Sequence, residues 1–346
     1  MLINRKSPHG GDIYTNSYRL DFSANINPAG MPETVRQALI DAAESCSAYP
    51  DPYCIELRRK LAKQEGVPTE DILCGNGAAE LIYQYAYTLP KEKPVLIVSP
   101  TFCEYELALH AAGIAAEHYL LQAADHFRLT EKILCTAFDK YSAVYLCSPN
   151  NPTGITIEPY LIQRIAETGV RLFLDTCFLD LTDTPQQYDI PKWIRTYPNL
   201  VILRAFTKSY AMAGVRLGYV LCSDNEFLTA MSEKAQCWNI STLAQAAGIA
   251  ALDCTAWLKD SVKQISGERE RMAARLSALG IRVYPGEANY LLLYSERNLT
   301  KPLMQRGIMV RDCSNYIGLG AGYLRIAIRT KAENDQLLTE LKEVLA

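Results

Sequence analysis

At 346 residues the chain is longer than one hydrophobic core usually supports, so a large domain with a smaller companion is expected. A formal charge of −3 and a pI near 5.9 argue against nucleic acid or an anionic membrane as partner, and no apolar run approaches membrane-spanning length. The eleven cysteines include no Cys-x-x-Cys pair, and Cys74, Cys147, Cys177 and Cys222 lie in or beside apolar runs, which suits reduced thiols in a cytoplasmic protein.

Residues 1–30 are polar and punctuated by His9-Gly10-Gly11 and by Asp21-Phe-Ser-Ala-Asn25-Ile-Asn-Pro28, the pattern of an arm lying across a larger body. A helix is predicted from Glu33 to about Cys46. Tyr49-Pro-Asp-Pro52 then breaks the chain, because closely spaced prolines exclude a helix. A second helix, Ile55 to Gln64, stops near Gly66. Ile72 to Cys74 reads as a strand end, Gly75-Asn-Gly77 as a turn and Ala78 to Tyr87 as an apolar helix. Such a strand, glycine turn and helix aim free N–H groups and a positive helix end at an anion. Val95 to Val98 is the next strand, followed by Ser99-Pro-Thr-Phe102, a helix through about Ala112, and a strand over Ile114 to Leu121.

Ala143 to Cys147 is a buried strand with Ser148-Pro-Asn-Asn-Pro-Thr-Gly154 as its loop, and Pro159 opens a helix to Glu167. Val170 to Leu174 runs into Asp175. Residues 183–199 form loop and short helix, and the strand Leu200 to Leu203 leads into a hydroxyl-rich loop carrying Thr207, Lys208 and Arg216. A lysine in a partly dry cleft near another cation loses its proton readily and can bond covalently to an aldehyde; the alternative is a surface lysine. Alternating strands and helices imply a mainly parallel sheet, at one edge of which Asn151, Asp175 and Lys208 can meet. Gly218 to Leu221 is a further strand, and Thr242 to Leu252 and Trp257 to Leu279 are helices. Strands at Ile281 to Tyr284, Tyr290 to Tyr294, Ile308 to Val310 and Tyr323 to Ile328, with a closing helix from about Glu333, suggest a small α+β unit. The expected division is an arm (1–30), a large α/β domain (31–250) and a small α+β domain (251–346).

Gly-Asn-Gly-Ala, Ser-Pro-Thr-Phe, Ser-Pro-Asn-Asn-Pro-Thr-Gly, a strand ending in Asp, and Thr-Lys followed by Arg-x-Gly-Tyr occur in one order along nearly the whole chain. Together they resemble the fold type I pyridoxal-phosphate enzymes of the aminotransferase class I/II branch. The resemblance implies pyridoxal 5′-phosphate as cofactor, no metal, and a homodimer with shared active sites. Lys208 would carry the cofactor and later move protons, and Asp175 would face its ring nitrogen through a charge-assisted bond. Asn151 would bond the phenolic oxygen. Gly77, Ala78, Thr207 and Arg216 would hold the phosphate, with Tyr49 reaching it from a second subunit. Phe102 would stack on the ring, or else is a core aromatic. Arg325 would take the substrate carboxylate. On a β-strand Arg329 shares its face, because four is an even spacing; the alternative for Arg329 is a surface charge. Two departures stand out: Ala205 replaces a usual hydroxyl, and Phe178 replaces a tyrosine that would bond the phenolic oxygen.

Within the branch two subfamilies compete. The histidinol-phosphate aminotransferases share the broad pattern. The threonine-phosphate decarboxylases of cobamide biosynthesis add a likeness in His9-Gly-Gly, in Asp21 to Pro28 with Asn25, in Trp238-Asn-Ile-Ser-Thr-Leu-Ala-Gln245 and in Leu324-Arg-Ile-Ala-Ile-Arg329-Thr. That likeness makes a phosphorylated amino acid the expected substrate, bound by His9, Asn25, Arg325 and Arg329, although His9 could equally be a loop histidine with no ligand. A non-catalytic protein on this fold would be expected to lack the lysine or to carry a DNA-binding domain, and neither is seen.

Overall fold

A computed structural model describes residues 9–346; residues 1–8, the first part of the predicted arm, lie outside the described residues. Short runs of Val, Leu, Ile and aromatic residues without polar alternation form strands covered on both faces. In chain order the strands are β1 (Leu20–Asp21), β2 (Ile72–Gly75), β3 (Val95–Ser99), β4 (Ala116–Leu120), β5 (Ala143–Cys147), β6 (Arg171–Asp175), β7 (Leu200–Ala205), β8 (Gly218–Leu221), β9 (Arg282–Val283), β10 (Tyr290–Tyr294), β11 (Ile308–Met309), β12 (Arg311–Asp312) and β13 (Tyr323–Ala327), and β3, β5, β6 and β7 are the central runs of this kind.

The large sheet runs β2-β8-β7-β6-β5-β3-β4. Its pairs are parallel except that β8 is antiparallel to both neighbours. Alternate residues feed two cores. Val95, Ile97, Tyr145, Phe173 and Val201 pack with the helices Gly77–Thr88 and Glu104–Ala112, while Leu96, Val98, Leu146, Leu172 and Ile202 pack on the opposite face. A second sheet, β12-β13-β10-β9, forms a third core with the helices Thr255–Ala278 and Lys331–Leu345 and with Phe22 of the arm. The arm is held there because β1 pairs in parallel with β11.

Several expectations need correction. Lys208 lies in a one-turn helix, Phe206–Ser209, and not in a loop. The first helix ends at Ala42 and tightens into a 3-10 segment, Ala43–Ser47. The predicted strand Ile308 to Val310 is split: β11 goes to the arm and β12 to the small sheet. The last strand stops at Ala327, because the Thr330 hydroxyl and Glu333 form a capping box that starts the closing helix. Arg329 is therefore beyond the strand. The helix Asn225–Ser232 was not expected, although Asp224, which accepts from the Phe227 N–H at 3.0 Å, is its sequence signal. Among the described residues no helix is long and apolar enough to cross a membrane, and no disulfide is present.

Candidate active site

Parallel strands deliver their C-terminal residues to one edge, so Asp175 at the end of β6, Asn151 after β5 and Lys208 after β7 meet there as expected. They line a cavity of about 230 Å³ with His9, Asn25, Phe102 and Arg325. Lys208 is largely buried; burial, then the nearby Arg325 charge, lowers its amine to about 8. A buried lysine held down in this way is a nucleophile near neutral pH.

Burial raises the Asp175 carboxyl, while two donors that favour the ionised form oppose the shift. The Tyr105 hydroxyl donates to Oδ2 at 2.6 Å and the Cys177 N–H to Oδ1 at 2.9 Å. Each oxygen is thus fixed by one donor. Asn151 is turned by its carbonyl oxygen, which accepts from Arg325 Nη1 and, at 3.4 Å, from the Tyr316 hydroxyl. Its amide nitrogen is left to serve as a donor.

The anion seat lies at the start of the helix Gly77–Thr88, whose first N–H groups have no acceptor within the helix. Gly77 has a φ of +79°, and a Cβ there would stand 2.6 Å from Arg216 Nη2, so the guanidinium occupies the space that glycine leaves. Ala78, Thr207 and Arg216 line the same cavity. The seat suits a phosphate, the lysine an aldehyde and Asp175 a basic ring nitrogen. Both side-chain atoms of Asn25 and the Nε of Arg325 are buried with no hydrogen-bond partner, which leaves polar groups in the wall for a ligand to satisfy. These residues fit pyridoxal 5′-phosphate. Ala205 and Phe178 also line the cavity, and the Phe178 ring packs edge-on against Tyr290.

One assignment changes. Arg329 is outside the cavity: its guanidinium donates to Glu333 at 2.8 Å in the first turn of the closing helix. The second arginine is instead Arg311, which pairs directly across the antiparallel register with Arg325 and lines the cavity. It donates to the Asn315 carbonyl oxygen at 2.9 Å. Tyr49 is 79% exposed and stacks on Trp238 at 4.4 Å, away from this chain's own cavity. The sequence reading missed Tyr105, Arg311 and Tyr316. Only Tyr105 carried a local signal, since it follows Phe102 by one helical turn on the same face. Arg325 itself is held from the arm, donating to the Ser23 carbonyl at 2.6 Å. His9 is at the cavity mouth, where Cys103 first and Glu104 second raise its imidazole to about 9.

Residues 19–341 match the family model for aminotransferase class I and II. A curated relative, the threonine-phosphate decarboxylase of Salmonella typhimurium, is 38% identical over 98% of this chain and 97% of its own length. Among solved structures, the histidinol-phosphate aminotransferase from Clostridium acetobutylicum superposes with a TM-score of 0.89 at 28% identity, covering 94% of this chain and 99% of the other. The L-threonine-O-3-phosphate decarboxylase from Porphyromonas gingivalis gives 0.86 at 25% identity with the same coverage.

Proposed function

Given that this chain belongs to the aminotransferase class I and II family, whose members depend on pyridoxal 5′-phosphate, we propose that it decarboxylates L-threonine O-3-phosphate to (R)-1-amino-2-propanol O-2-phosphate, a step of cobamide biosynthesis. The observation that carries the reading is the cationic wall of the cavity. Arg311 and Arg325 stand side by side and His9 lies at the mouth, all apart from the phosphate seat at Gly77 and Arg216. A substrate with both a carboxylate and a phosphate would use such a wall fully. Histidinol phosphate has no carboxylate. The likeness to the Salmonella decarboxylase along nearly the whole chain supports the same reading.

Lys208 would bond the cofactor's aldehyde carbon, Asp175 its ring nitrogen, and the Asn151 amide its phenolic oxygen. Gly77, Ala78, Thr207 and Arg216 would hold its phosphate, Phe102 would cover the ring, and Tyr49 of a second subunit would reach the phosphate in a homodimer. When bound, pyridoxal 5′-phosphate supplies an electron-accepting ring for the bonding pair that the α-carbon releases. Arg325, fixed by Asn151 and the Ser23 carbonyl, would hold the substrate carboxylate. Arg311, Asn25 and His9 would anchor the remote phosphate, whose binding energy then helps to orient the reacting end of the substrate. The Lys208 amine, held to about 8, would pass a proton to the α-carbon after carbon dioxide departs.

The test is a product assay with threonine phosphate and no keto-acid acceptor. Release of carbon dioxide with formation of the amino alcohol phosphate is expected. Turnover that requires 2-oxoglutarate, with histidinol phosphate as the better donor, would replace this reading with the aminotransferase one.

A further inference from the structure

His9 is held from two sides at the mouth of the cavity. Its Nε2 is 2.6 Å from Glu104 Oε1, and its Nδ1 is 3.8 Å from Cys103 Sγ. The imidazole is thus in contact with both an acid and a thiol, partners that can orient a histidine beside a nucleophile. Cys103 stands at the N-cap position of the nine-residue helix Glu104–Ala112, makes no side-chain capping bond there, and is only partly buried. Among the described residues no other cysteine has a histidine nitrogen within hydrogen-bonding distance. A histidine in contact with sulfur can take its proton and leave the thiolate, the form that attacks electrophiles. The three ligand atoms all lie within 4.8 Å of one another, close enough to suggest a metal. Each ring nitrogen, however, already has its own partner, sulfur at Nδ1 and carboxylate at Nε2, and a single ion can bind only one of the two nitrogens.

We propose that Cys103 is an oxidation site for hydroperoxides, poised by His9 and Glu104, and that its oxidation obstructs the cavity mouth. Sulfur attacks one peroxide oxygen; an S–O bond forms and the O–O bond breaks. The departing hydroxide takes the proton held at His9 Nδ1 and leaves as water. The thiol is oxidised by two electrons to a sulfenic acid, and the peroxide is the species reduced. The new oxygen would add bulk where sulfur meets His9, so that His9, which lines the cavity beside Phe102, would have to shift.

The holoenzyme would be treated with substoichiometric hydrogen peroxide, trapped with dimedone and mapped by mass spectrometry, with iodoacetamide as a second probe. At pH 7 Cys103 should label several-fold faster than the exposed Cys46, Cys135 and Cys237, the advantage of a neighbouring imidazole that takes the thiol proton. His9→Gln should bring Cys103 down to the rate of those three. Cys103→Ser should keep its basal turnover in peroxide, whereas the parent loses turnover and regains it with dithiothreitol. The proposal is overturned if Cys103 labels no faster than the exposed thiols, if His9→Gln leaves its rate unchanged, or if Cys103→Ser is inactivated like the parent. The two labelling outcomes are read without turnover, so they are separate from the identity of the substrate.

Discussion

Replacing Gly77 by alanine tests the anion seat most directly. The new methyl would lie 2.6 Å from Arg216 Nη2 and 2.9 Å from its Cζ, distances that force a displacement. The atoms met belong to the end of a flexible side chain, so the guanidinium moves while the backbone stays. Losing one charge-assisted contact of this kind costs about 1.5–3 kcal/mol, or a roughly ten- to hundredfold weaker Kd for the cofactor. The residue's φ of +79° adds a backbone strain of about 1–2 kcal/mol to folding. Gly169→Ala separates the two effects, because its φ is +81° and a methyl there meets nothing within 4 Å. Apoprotein would be titrated with pyridoxal 5′-phosphate by absorbance, and each variant's stability measured in urea. Both variants should lose comparable stability, and only Gly77→Ala should lose affinity. A Gly77→Ala protein that binds within about twofold of the parent, or a Gly169→Ala protein weakened equally, refutes the assignment of Gly77 and Arg216 to the phosphate.

Borohydride reduction of the purified protein should leave a pyridoxyl adduct on Lys208, and an adduct on another lysine removes it from the centre of the site. In apoprotein the Lys208 amine titrates at about 8 when folded and near its ordinary 10.5 when unfolded. The unfolded chain then binds more protons across that interval, so this group makes stability rise with pH from about 8 to 10.5; Lys208→Met should flatten that slope in urea titrations. Arg311→Ala should lower kcat/KM for threonine phosphate by about a hundredfold, the effect of removing a buried charged donor. Arg329→Ala, which breaks only a partly exposed pair with Glu333, should stay within about twofold and cost no more than about 1 kcal/mol of stability; the opposite ranking would restore Arg329 to the site. Mixing inactive Lys208→Ala and Tyr49→Ala chains should recover activity through dimers that contain one intact site, and mixed dimers that form but stay inactive rule out sharing.

The main strand segments along the chain, the parallel core, and the meeting of Asn151, Asp175 and Lys208 were legible in the chain because each depends on local pattern. Apolar runs without alternation become strands covered on both faces, and residues just after parallel strands reach one edge whatever the details of packing. Gly77 was legible for a similar reason, as a glycine between a strand and an apolar helix. The arginine pair was not. Arg329 follows Arg325 at a spacing that would share a face, but the capping box of Thr330 and Glu333 ends the strand first and draws Arg329 into the helix turn. Arg311 reaches the cavity only because β12 pairs with β13 so that it faces Arg325, a register set by antiparallel pairing between segments joined by a long connection. The turning of Asn151 by Arg325 and the bond from Tyr105 to Asp175 likewise unite residues far apart in the chain. Periodicity and spacing specify where a backbone goes; which polar groups meet inside is decided by the packing of distant segments, where each buried donor must find an acceptor.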